Sequence, residues 1–231
     1  MTANNLALPA GMADFAKLRS RNAVLVDKTD LIGTLATAYG DQVFLARPRR
    51  FGKTLLTSTL RTLLEGKTER FHGMKIDASW HERPHEVVTL DFSKSASAFS
   101  SAAEFEAKFW NYVQAQFAAV GYAYDPKSGF SPENQFDLWL QSRIGNPLVL
   151  LIDEYDDPEL YSGVQARLRV FFSILKSNEG ALRFLFLTGT ARHDLQGINS
   201  LIDVSSMPAF GTLLGFTEDE LLECFDEPLQ R

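Results

Sequence analysis

The chain has 231 residues, of which 45% are hydrophobic and 12% aromatic, which is enough for one large α/β domain or two small ones and unlike a disordered chain. A formal net charge of −6 and a pI near 5.3 argue against a surface that is basic throughout, the usual mark of a general nucleic-acid binder. The single cysteine, Cys224, allows no internal disulfide and no zinc cluster, as expected of a cytoplasmic protein.

In chain order, the first residues carry no basic, apolar leader, and the segment near Asp14 to Leu18 reads as a short turn. Asp27 is placed to cap a helix burying Leu31, Ile32 and Leu35 and closed by Gly40. Val43 to Ala46 has the short apolar form of a buried parallel strand. The stripe Leu55, Leu56, Leu60, Leu63 and Leu64 then predicts a helix ending at Gly66.

Glu86 to Phe92 is a second strand candidate. Ser101 and Glu104 form a capping box for a helix with Phe105, Phe109, Tyr112, Val113 and Phe117 on one face, ended by Gly121. Ser131-Pro132 opens another, with Phe136, Leu138 and Leu140 inside it. Leu148 to Ile152 is the most hydrophobic strand candidate and ends in Asp153-Glu154. Ser162 and Gln165 cap the helix carrying Val164, Leu168, Phe171, Phe172 and Leu175. Arg183 to Leu187 is a fourth strand and Phe210 to Leu214 a weaker fifth, before a last helix opened by Thr217 and Glu220. No run approaches the ~20 apolar residues of a membrane span. Strands alternating with helices indicate an α/β fold with a mainly parallel sheet of about five strands covered on both faces, a three-layer αβα sandwich.

In such sheets ligands sit at the carboxyl ends of the strands, and the polar residues of interest all follow strand ends. Arg47-Pro48-Arg49-Arg50-Phe51-Gly52-Lys53-Thr54 matches the Walker A loop G-x-x-x-x-G-K-[ST] except that Arg47 holds the place of the first glycine. A phosphate cradle needs inward-pointing amides at a helix N-terminus, a cation for the β- and γ-phosphates and a hydroxyl for magnesium. Arg50 to Leu55 can supply the amides, Lys53 the cation and Thr54 the hydroxyl. An ordinary helix start is the plain alternative for so short a match.

Asp153-Glu154 favours the cradle, with solvated or helix-capping carboxylates at a strand end as the plain alternative. Apolar residues followed by Asp-Glu form a Walker B arrangement, in which Asp153 serves Mg2+ and Glu154 orients the attacking water. Thr188 and Arg192 follow the fourth strand, where Thr188 could sense phosphate and Arg192 stabilise its charge; an exposed turn arginine is the plain alternative. Arg49 and Arg50 suit phosphate, an acidic partner surface, nucleic acid or a solvated loop. His81 and His85 could suggest a metal, but Pro84 breaks the helical spacing that would aim both imidazoles at one ion. No guanine-reading N-K-x-D or T-K-x-D follows, which favours ATP over GTP.

These motifs, with Val26-Asp27-Lys28-Thr29, Leu90-Asp91-Phe92-Ser93, Asp153-Glu154-Tyr155-Asp156-x-Pro158, Leu187-Thr188-Gly189 and Gly215-Phe216-Thr217, resemble the AAA-ATPase-like proteins of bacteria and archaea across almost the whole chain. The resemblance implies a P-loop NTPase fold of the Walker B glutamate type in which arginine is the normal first loop residue, with ATP and Mg2+ as ligands. It also implies that Asp27 to Thr29 help close the site. Residues 1–231 are thus expected to form a single P-loop domain, with residues 1–40 as a lead-in and helix packed on it. A C-terminal PD-(D/E)XK nuclease-like domain is the family's frequent companion; no separate D…E-x-K set occurs here, and that portion is expected beyond this sequence. A partner protein or that domain, nucleic acid, and an oligomer lending an arginine are the partners the resemblance admits, with no membrane.

Overall fold

The computed structural model describes residues 9, 11–95, 101–156, 164–192 and 201–229. Two short helices, α1 (Phe15–Ser20) and α2 (Thr29–Thr37), precede strand β1 (Gln42–Ala46) and helix α3 (Lys53–Leu64). Strand β2 (Val87–Asp91), a single turn α4 (Phe92–Ser95) and helices α5 (Ala102–Phe117) and α6 (Pro132–Ser142) follow. Then come β3 (Leu148–Asp153), α7 (Gln165–Ser177), β4 (Leu182–Gly189), β5 (Ile202–Asp203) and α8 (Glu218–Leu229).

The five strands form one sheet in the order β2-β3-β4-β1-β5, with every neighbouring pair parallel. Alternation along the strands sends side chains to opposite faces. Phe44, Leu150, Ile152, Leu185 and Leu187 meet α5, α6 and α7. Val43, Leu45, Leu151, Phe184 and Phe186 meet α1, α2 and α3 on the other side. The result is a three-layer αβα sandwich, and it explains the unbroken apolar runs of β3 and β4: a strand covered on both faces has no solvent side.

The helix layers follow from local signals. Ser101 Oγ accepts from Glu104 N at 3.2 Å to start α5, and Ser131 Oγ accepts from Asn134 N at 3.4 Å to start α6. The α7 stripe Leu168, Phe171, Phe172 and Leu175 is buried, and Phe171 packs edge-on against Phe109 of α5 with centroids 5.3 Å apart. The predicted cap at Ser162 lies outside the described residues. Residues before β1 pack on α3: Phe15 N donates to Ser58 Oγ at 3.0 Å, and the Phe15 ring stacks on Phe71 at 4.7 Å.

The segment near Asp14 to Leu18, expected as a short turn, is instead helix α1, capped by Asp14, whose side chain accepts from Lys17 N. The fifth strand is Ile202–Asp203, not Phe210 to Leu214; Pro208–Phe210 is a 3-10 turn that buries Phe210. A two-residue edge strand has no period to read, and it is recruited by β1, with Val204 N donating to Phe44 O at 3.0 Å. Leu138 lies inside α6 as expected but is 51% exposed, because the buried face of that helix is set by Phe136 and Leu140 one turn apart. No helix among the described residues is long and apolar enough to cross a membrane.

Candidate phosphate site at the carboxyl ends of the strands

The parallel sheet brings the ends of β1, β3 and β4 together, and with them the stretches around Arg47 to Thr54, Asp153-Glu154 and Thr188; His81 and His85 lie before β2, at the other end of the sheet. Gly52, with φ +94°, is the N-cap of α3, a left-handed position that glycine adopts without strain. Lys53 and Thr54 then open α3, so the loop runs into a helix N-terminus, a place that favours an anion. Arg50 also adopts positive φ, at +65°.

Arg47 shows how the loop manages without its usual first glycine. Its N–H continues the β1–β4 ladder to Gly189 O at 3.1 Å. Its guanidinium donates to Ala46 O at 2.9 Å, Ser205 O at 2.7 Å and Phe210 O at 3.3 Å. The loop therefore leaves β1 extended, riveted to the segment after β5, and makes its left-handed turns later, at Arg50 and Gly52. That role was not legible in the sequence.

Lys53 is 3% exposed. Its ammonium donates to Arg47 O at 3.0 Å and Pro48 O at 3.2 Å and lies 3.9 Å from Glu154 Oε1. The lysine of the loop after β1 and the carboxylate after β3 are thus in direct electrostatic contact. Asp153, also 3% exposed, accepts from Glu154 N at 3.1 Å and from Thr188 Oγ1 at 3.4 Å. Burial raises its pKa above the usual carboxylate range and the nearby Asp91 adds to this, against a hydrogen bond with the Thr54 side chain and the charge of Lys53. Glu154 itself adopts φ +53°. Two non-glycine residues at positive φ, each costing on the order of 1 kcal/mol, flank one site.

Of the remaining candidates, Thr188 is buried against Asp153, whereas Arg192 is half-exposed and pairs with Asp203 at 3.2 Å. Asp203 in turn accepts from Ser205 N at 2.9 Å, and Ser205 Oγ accepts from Ala46 N at 2.8 Å, so Arg192 anchors the edge of the loop platform. Arg49, Arg50 and Phe51 are exposed on the loop, and Leu55 is half-buried.

The Asp27 to Thr29 segment acts as a brace. Asp27 accepts from Thr29 N at 3.0 Å and from Lys75 N at 2.7 Å. The buried Lys28 ammonium donates to Thr212 O and Gly215 O and pairs with Glu220 Oε2 at 3.0 Å. Glu220 also closes a reciprocal cap with Thr217 at the start of α8. Between the braced elements lies a cavity of about 620 Å³ lined mostly by apolar side chains, Leu25, Ile32, Leu213 and Leu214 among them, with Gly52 on its wall. Sequence reasoning missed it, because its walls come from residues far apart in the chain.

Residues 9–199 match the family model described as "AAA-ATPase_like: Predicted AAA-ATPase". The "Uncharacterized protein in vnfD 5'region" of Azotobacter chroococcum mcd 1 is 29% identical over 228 residues, a match taking in 93% of this chain and 44% of that protein. The chain therefore spans less than half the length of this relative. Among solved structures, AMPPCP-bound DnaA from Aquifex aeolicus is similar at 14% identity and a TM-score of 0.39, over 87% of this chain and 49% of that one. Drosophila ORC bound to GC-rich DNA and Cdc6 is similar at 13% identity and a TM-score of 0.40, over 93% and 31% of the respective chains. With a family model spanning most of its length, the chain belongs to the AAA-ATPase-like family.

Proposed function

We propose that this chain binds ATP with Mg2+ and hydrolyses it, using the bond energy to set the state of a partner domain or protein. The observation that carries the reading is the contact of Lys53 with Glu154, since it joins a phosphate-binding lysine to a water-orienting carboxylate across two strands.

In this reading the loop amides and Lys53 hold the β- and γ-phosphates. A phosphate entering the loop replaces the carbonyls of Arg47 and Pro48 as acceptors for the Lys53 ammonium. Thr54 and Asp153, a hydroxyl and a carboxylate lying beside each other, suit a hard divalent cation. Such a cation supplies charge neutralisation on the phosphates. Glu154 orients and deprotonates the attacking water, with Thr188 beside it at the end of β4. Arg192 reaches the phosphate only by leaving Asp203. The apolar cavity beside Gly52 takes the purine, which has faces to bury and few polar edges to satisfy.

Equilibrium binding of a fluorescent ATP analogue and phosphate release test this on the wild-type chain, Lys53→Ala and Glu154→Gln. Lys53→Ala is expected to lose binding. Glu154→Gln is expected to keep ATP while turnover falls by about 10²-fold or more. Unchanged turnover in both variants would overturn the assignment.

A further inference from the structure

Glu154 has a strained backbone, and such a conformation persists only where both flanks are held. On its N-terminal side Asp153 is fixed by the β3 ladder to β2. On its C-terminal side the hold comes from the next two residues, Tyr155 and Asp156. Tyr155 is fully buried; its N–H donates to Thr188 O at 3.1 Å, its hydroxyl donates to Ala191 O at 2.8 Å, and its ring meets Phe44 of β1 edge-on at 5.5 Å. Asp156 is 6% exposed, and its Oδ2 accepts from Thr190 N at 2.8 Å, Ala191 N at 3.2 Å and the Thr190 hydroxyl.

Consecutive amides and a hydroxyl wrapped around one carboxylate oxygen form a tight anion nest. It offsets the cost of burying the charge and makes the turn after β3 and the loop after β4 one rigid piece. Gly189 completes the fit, since a Cβ there would lie 2.7 Å from Asp156 Oδ1 and 2.5 Å from Tyr155 Cε1.

We propose that Asp156 is a positioning residue that clamps the turn after β3 to the end of β4, so that Glu154 and Thr188 are presented to the terminal phosphate as a unit. The proposal rests on the ATPase reading for its kinetic consequence, but the clamp itself does not depend on it. A displacement of a fraction of an ångström at Glu154 is enough to slow the chemistry without touching the residues that hold nucleotide.

The test compares wild type with Asp156→Ala, Asp156→Asn and Thr190→Val, reading ATP affinity, turnover and amide hydrogen exchange at Glu154 and Tyr155. Asp156→Ala is expected to lower turnover by about 10- to 100-fold with ATP affinity within about threefold of wild type, and to speed exchange at Glu154 and Tyr155. Asp156→Asn should recover most of the loss, because its carbonyl oxygen still accepts from the Thr190 and Ala191 amides. Thr190→Val, which removes one donor and leaves the fold intact, should shift exchange and turnover the same way by less. Affinity and turnover falling together, no recovery in Asp156→Asn, or unchanged exchange at Glu154 and Tyr155 would each overturn the clamp. A wild-type chain that bound no ATP would refute the ATPase reading instead, and the exchange result would still decide the clamp.

Discussion

The Lys28 ammonium, buried between the lead-in and the last helix, lies 3.0 Å from Glu220 Oε2 and donates to the carbonyls of Thr212 and Gly215. Burial of the Lys28 ammonium lets this contact count for more than one at the surface, and removing Glu220 leaves that ammonium desolvated and less well compensated. Glu220→Gln is therefore expected to lower unfolding free energy by about 1.5–3 kcal/mol. Lys108→Ala, which breaks the exposed Lys108–Glu104 pair of α5 at 2.8 Å, should cost only about 0.3–0.5 kcal/mol. Urea unfolding of the two variants side by side measures the difference.

The cavity beside Gly52 can be tested apart from the phosphate loop. Leu214 lines it, and a Cβ on Gly52 would lie 3.7 Å from Leu214 Cδ2. Leu214→Trp should fill the space and weaken ATP binding by about tenfold or more, the scale of one lost apolar contact set, while inorganic triphosphate binds as before. Competition titrations with the two ligands on both proteins read this directly. Equal losses for both would place the base elsewhere.

Two glycines give a contrast in packing. At Gly189 a methyl group would meet the Tyr155 ring at 2.5 Å and a buried carboxylate at 2.7 Å, both held by hydrogen bonds, so Gly189→Ala should cost about 1–3 kcal/mol. At Gly33 the nearest atom is the Ile76 Cδ1 tip at 2.6 Å, which can turn aside, and the residue sits inside α2, where alanine is the better helix former by about 1 kcal/mol. Gly33→Ala should therefore be much the milder change in thermal unfolding.

At the opposite end of the sheet, burial, with Arg183 and Arg83 nearby, holds the His85 imidazole below its usual range, against a pull from Glu82. The unfolded chain takes up a proton near pH ~6.5 that the folded chain refuses until lower pH. The stability this provides is fully present above that value and is lost as pH falls through the folded pKa. Melting temperature should thus drop between about pH 7.5 and about pH 5.5, and drop less in His85→Gln.

The sequence by itself determined the local structure and the identity of the chemical groups. Apolar runs marked four of the five strands, caps at Ser101, Ser131 and Thr217 marked helix starts, and the order of Lys53-Thr54 before Asp153-Glu154 named the candidate site, because each of these signals is carried by residues close together in the chain. Only the tertiary structure decided that Arg47 rivets the loop start to Ser205 and Phe210, that Lys28 braces α8, that β5 is Ile202–Asp203, and that Asp156 clamps Thr190 and Ala191. Each of these links residues separated by tens to nearly two hundred positions, and it exists because a parallel sheet in the order β2-β3-β4-β1-β5 brings together strand ends that the sequence keeps apart. Local chemistry names the donors and acceptors, and sheet order decides which of them meet.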